Sequence, residues 1–124
     1  MSAPTRCVLA ATVAVTSALT NGAAAAGGGS SSSMIRAEFG PAGPCMVHVA
    51  WRESRLNPRA VNWADHHSDG SRGSFGLFQI GALWRRAGES VDSFYHRMIR
   101  PRANVRLAHV LYARYGLRPW GGFC

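Results

Sequence analysis

The run "GPAGPCMVHVAWRESRL", residues 40–56, constrains the fold more than any other stretch, because it can be written as only one kind of helix. Pro44 suits a first helical turn, where its missing N–H would have no partner in any case. Met46, Val49 and Ala50 follow at helical spacing and define a buried face, and the Asn57-Pro58 pair ends the helix near Leu56. Glu53 lies seven, four and three residues beyond those three positions, so it falls on the apolar stripe. Burial disfavours an ionised carboxylate there, and so does the negative end of the helix dipole in a last turn. Both effects raise the pKa of Glu53 and suit it to act as a general acid. An ordinary ion pair with Arg52, Arg55 or Arg59 at the edge of the core is the competing expectation.

The rest of the chain reads as further helix around a short irregular middle. "NWADHHSDGSRG", residues 62–73, has the composition of a loop, and "SFGLFQI" is either a strand or the start of a helix. "SVDSFYHRMI" presents Val91, Phe94, Tyr95, Met98 and Ile99 on one helical face, with Ser90 as N-cap and Pro101 as the stop. "PRANVRLAHVLYARYG" continues as a helix with Ala103, Leu107, Val110 and Leu111 inward and Gly116 as its C-cap. The expected fold class is mainly α, a small helical domain with a short β or loop segment. At 124 residues, 47% of them hydrophobic, there is room for one core.

Residues 1–26 pair one positive charge with the short apolar run "CVLAATVAVTSALT" and the small residues of "NGAAAAG", which reads as a secretory signal peptide. A disordered leader is the alternative, as is a true start at Met34. Residues 27–33 read as a Gly/Ser linker and residues 34–124 as the folded domain. Loss of the leader removes Cys7 and leaves Cys45 and Cys124, an even pair in an exported domain, for which a disulfide is expected over two free thiols. The apolar run is too short to cross a bilayer, so the mature chain carries no integral membrane segment.

The net charge of +8 comes from fourteen basic residues, all arginine, against six acidic ones, and points to an anionic partner. Nucleic acid is disfavoured as that partner, since the arginines are spread along the chain and no helix-turn-helix or ribonucleoprotein motif is visible. His66 and His67, with Asp65 and Asp69 nearby, match no zinc spacing and are read as solvated loop residues, so neither a metal nor another cofactor is expected.

"ESRLNPRAVN", then "GSFGLFQI", then "RPRANVRLAHVLYARYGLRPW" together resemble the lysozyme-like superfamily, in particular small transglycosylase SLT-like domains, over about residues 35–120. The resemblance implies a cleft for peptidoglycan glycan strands and cleavage of the β-1,4 bond between N-acetylmuramic acid and N-acetylglucosamine, by a monomer that is secreted to the cell wall. It makes Glu53 the catalytic acid and gives Trp120 as an apolar wall beside it. Asn62, Gln79 and Trp84 become substrate-binding positions, while Ser54, Asn57 and Ala60 shape the helix end and the turn. Ser74, also in the substrate-binding set, stands where c-type lysozymes have an aspartate, so the second carboxylate is missing from its usual place. Asp65 or Asp69 could supply it, although an Asp-Gly turn explains "SDGS" without catalysis. The single-glutamate pattern leans toward a lytic transglycosylase giving a 1,6-anhydro product. Hydrolysis, or binding without turnover, are the alternatives.

Overall fold

The computed structural model describes residues 28–124, with side chains from Ser31 onward. The segment read as a signal peptide, Cys7 included, lies outside the described residues. The described residues form four α-helices and a small sheet: α1 (Gly28–Phe39), α2 (Gly43–Ser54), the strands β1 (Val61–His66), β2 (Arg72–Phe75) and β3 (Ile80–Gly81), then α3 (Val91–Met98) and α4 (Pro101–Tyr115). The sheet is antiparallel in the order β1-β2-β3. The architecture is thus mainly α with a short β segment, and no described helix is long and apolar enough to cross a membrane.

The core is one cluster to which every helix contributes. Met46, Val49 and Ala50 of α2 are fully buried, as the spacing predicts, against Phe75, Leu77 and Phe78 from the middle of the chain and Phe94 and Met98 of α3. Complete burial of such side chains stabilises by roughly 1.5–3 kcal/mol each. The linker reading of residues 27–33 does not describe what is seen, because α1 begins at Gly28, Ser31 is buried, and Ile35 and Phe39 of the same helix belong to the core. A Gly/Ser composition is poor in helix propensity, but packing of the downstream turns against α2 and α4 outweighs it.

Two further readings are corrected. Residues 62–73 are not simply a loop: β1 and β2 form a hairpin, with Val61 opposite Phe75, Asn62 opposite Ser74 and an irregular register before His66. On α4 the inward face is rotated from the expected one. Asn104, Val105, Ala108 and Leu111 are buried, Ala103 and Leu107 are only half-buried, and Val110 is exposed. The caps follow the sequence: Ser90 Oγ accepts from Ser93 N–H, and Gly116 ends α4 with a φ of 61°.

The turn between β2 and β3 is built around Asn104. Its Nδ2 donates to the carbonyls of Phe75 and Met98, and its Oδ1 accepts from Phe78 N–H at 3.0 Å. Gly76, at a φ of 77°, lies so close to that amide that any Cβ would collide with it. Asn104 is fully buried, and those bonds satisfy both ends of its side chain.

Cys45, in the first turn of α2, is bonded to Cys124, with Cα atoms 5.3 Å apart and a sequence separation of 79. The bond lays the C-terminal segment along α2, and Arg52, two turns beyond Cys45 on the same helix, reaches it by donating to the carbonyls of Trp120 and Phe123 at 2.6 and 3.2 Å.

Candidate active site

The end of α2 is held by local chemistry. Ser54 Oγ donates to Ala50 O and to Leu77 O, which locks the last turn against the loop before β3. Arg55 and Leu56 then take left-handed backbone angles, φ 57° and 60°, and their N–H groups return to Trp51 O and Ala50 O. Neither is glycine, so the helix stops under strain of about 1–2 kcal/mol per residue, one residue beyond Glu53, after Ser54. Asn57 Oδ1 accepts from Arg59 N–H to close the next turn, and Ala60 O receives both Gly76 N–H and Gln79 Nε2. Ser54, Asn57 and Ala60 therefore shape the helix end and the turn, and join them to the sheet.

Glu53 stands where the apolar stripe of α2 meets the surface. Its side chain is 29% exposed, against complete burial of Met46, Val49 and Ala50 on the same stripe. Desolvation raises its pKa above the ordinary carboxylate value, the nearby Arg52 charge opposes that rise, and the Asp65 carboxylate adds to it. Arg52 is not turned fully away as a free general acid would require: its Nε lies 4.0 Å from Glu53 Oε1. Its two terminal nitrogens are nevertheless occupied by the C-terminal carbonyls, and its guanidinium carbon lies 4.4 Å from the centre of the Phe123 ring. Arg55 is stacked over Trp51 at 3.8 Å. The bidentate clasp that would hold Glu53 ionised is therefore not formed, and desolvation dominates.

Asp65 lies on β1, and Ser74 of β2 donates to its Oδ2. Ser74 is buried, so its hydroxyl has a fixed orientation and fixes the carboxylate it holds. From sequence, Asp65 and Asp69 are equal candidates for a second carboxylate; pairing of Asn62 with Ser74 across the hairpin, together with the charge that Asp65 exerts on Glu53, distinguishes Asp65. The other loop acid is separated from this role. Asp69 accepts from the hydroxyl and the N–H of Ser71 and meets Arg85 at 3.3 Å, and these contacts hold its pKa below the ordinary value.

The remaining expected positions divide. Asn62 is exposed on β1, where its Oδ1 accepts from Ala64 N–H. Gln79 is half-buried, and its Nε2 donates to Ala60 O and Gly76 O, so its amide nitrogen serves the turn. Trp120 is a core side chain, 5% exposed, packed on Phe78 with its Nε1 donating to Phe78 O. It offers no open face to a ligand. Trp84 packs against Tyr115 and faces a groove whose walls include no residue of α2 or of the sheet. Two tryptophans are exposed outside that set: Trp51, two residues before Glu53 and so on a different side of α2, and Trp63, on β1 between Asn62 and Asp65. Their exposure follows from the hairpin and the helix end, which composition does not show.

Among the described residues, no group of three or more His, Cys, Asp or Glu side chains is placed to hold a metal ion. His67 Nε2 instead pairs with Gly73 O at 2.8 Å within the hairpin. The chain matches no protein-family model, no curated protein and no solved structure.

Proposed function

We propose that the chain is a glycosidase of bacterial cell-wall peptidoglycan, cleaving the β-1,4 bond between N-acetylmuramic acid and N-acetylglucosamine, with Glu53 as the acid. The observation that carries this reading is a partly buried carboxyl group with a raised pKa, whose neighbouring arginines are engaged elsewhere. A carboxyl whose pKa is raised keeps its proton to higher pH than an ordinary carboxylate and can give it to a glycosidic oxygen as the bond breaks. The raised-carboxyl pattern has a lysozyme as its worked example in enzymology, and its application here rests on the geometry of Glu53. The arginine-rich surface would draw such an enzyme to an anionic wall, an attraction that salt weakens.

Two modes of cleavage follow from this acid. With Glu53 alone, the muramic 6-hydroxyl attacks the anomeric carbon and a 1,6-anhydro sugar results. With a second carboxylate beside the bond, water is the acceptor and a reducing end results. The Ser74-bound Asp65, close enough to Glu53 to act on its charge, supports hydrolysis over the single-glutamate mode that the sequence favours. Mass spectrometry of digested sacculi separates the two, because the products differ by one water. Reducing muropeptides support the Asp65 role, and anhydromuropeptides return the reaction to Glu53 alone. Co-sedimentation with sacculi without release of soluble fragments would make the protein a binding module.

A further inference from the structure

Helix α4 carries two apolar stripes, one buried in the core and the other at its edge. Val105, Ala108 and Leu111 pack inward. Ala103, Leu107 and Val110, at spacings of four and three, line a groove of about 310 Å³ on another side of the helix, and Val110 is 46% exposed there. Trp84 forms the facing wall, held by contact with Tyr115 at 5.4 Å between ring centres. This placement explains why the sequence pattern makes those three residues look internal: Ala103 and Leu107 pack on the edge of the core while lining an open groove, and Val110 is exposed.

Three arginines, Arg86, Arg97 and Arg106, also line the groove, and they differ in how their charge is met. Arg97 is clasped by Glu89 through Nε and Nη2 at 2.9 and 2.8 Å, and that clasp pulls the Glu89 pKa down to about 2. The pair is a fixed, charge-balanced wall. Arg86 and Arg106 have no carboxylate partner among the described residues, and both side chains belong to exposed positions. An indole wall, an aliphatic floor and two guanidinium groups without a direct carboxylate contact, Arg86 near the already clasped Glu89 and Arg106, form a surface for an anion with a flat apolar face.

We propose that this groove binds a carboxylate-bearing sugar unit, as in a hexuronate polymer, at a site separate from Glu53. A pyranose ring presents its C–H face to an indole, and its carboxylate accepts from a guanidinium fork. The volume suits one such unit with its substituents. An acidic peptide fits less well, since the helical wall offers no strand edge and its backbone would gain no partners. The site does not depend on the glycosidase reading, because none of its walls comes from the elements that carry Glu53 and Asp65.

The test is titration of the full chain, followed by amide and indole NMR shifts, with trigalacturonate, neutral tri-N-acetylchitotriose, glucose 6-phosphate and tetraglutamate as probes. Trigalacturonate should bind most tightly, shift the Trp84 indole and the Val110 amide, and weaken as salt rises. The double variant Arg86→Ala, Arg106→Ala should lose at least tenfold in affinity while keeping the wild-type circular dichroism spectrum. Glu53→Gln should bind as wild type does, which separates this site from catalysis. Equal or tighter binding of the neutral sugar, the phosphate or the peptide with shifts at Trp84 would overturn the proposal, as would an unchanged affinity in the double arginine variant.

Discussion

Glu53 and Glu89 are the same residue in similar company, and the fold sends them in opposite directions. Each has arginines close by in sequence, and each lies near the boundary between core and solvent. Glu89 receives two bonds from Arg97 and one from Arg86 N–H, so it is held ionised down to a pKa of about 2. Glu53 receives no such clasp, and desolvation moves its pKa upward instead. Local charge density in the sequence therefore says little about a carboxyl group's state; what matters is where each guanidinium is anchored. Arg97 is aimed at Glu89, whereas the terminal nitrogens of Arg52 are tied to the C-terminal carbonyls and Arg55 lies on Trp51.

The tail that anchors Arg52 is bonded to α2 through Cys45–Cys124, and breaking that bond gives the largest expected effect on stability. Cys124→Ser should cost about 4 kcal/mol in the chain-entropy account of a loop this long, read from urea unfolding in parallel with the wild type. A loss near zero would mean that the tail is held by its other contacts, and that Arg52 keeps its anchor without the disulfide.

Asp65→Asn sharpens the comparison from the other side. Removing a like charge should lower the Glu53 pKa, seen by carboxyl NMR titration. In the hydrolytic mode it should also slow muropeptide release by on the order of 10²-fold. Arg52→Gln should do the reverse to the titration and raise the Glu53 pKa, because Arg52 is the one influence lowering it. If neither substitution moves the Glu53 titration, the electrostatic account of this corner fails.

Glu89→Gln gives the smallest change, about 1 kcal/mol of lost stability at neutral pH, as for a well-formed pair near the surface. The folded pKa of Glu89 is depressed, so its contribution is present above the ordinary value of 4.5 and fades as pH falls toward 2. The sign at Glu53 is opposite. A raised folded pKa makes the ionised carboxylate a liability at neutral pH, so Glu53→Gln should unfold at a higher temperature than wild type at pH 7, and the advantage should vanish below pH 4.5. A variant that is less active and more stable is the mark of a strained catalytic group.

Much of this was legible where the governing chemistry is local. The opening of α2, the Ser90 cap and the Gly116 stop follow from backbone groups a few residues away. The position of Glu53 on its stripe followed from periodicity alone, while its protonation preference needed the anchors of Arg52, which lie some seventy residues off in sequence. The hairpin is not legible in the sequence because "ADHHSDGS" has loop composition, and its pairing is secured by Phe75 and Ser74 from the next strand. The role of Asn104 is likewise set by distant contacts: a polar residue inside a helix becomes structural only when the turn at Gly76 is brought against it. On α4 the periodicity was real, but two stripes satisfied it, and sequence does not say which one the core covers.

The central claim is that Glu53 supplies the proton for glycosidic cleavage, and release of soluble muropeptides from purified sacculi by wild type and Glu53→Gln tests it most directly. The account predicts release by the wild type and a loss of about 10³-fold in the variant, with sacculus binding unchanged. Equal release by the two proteins, or none by either, would contradict it.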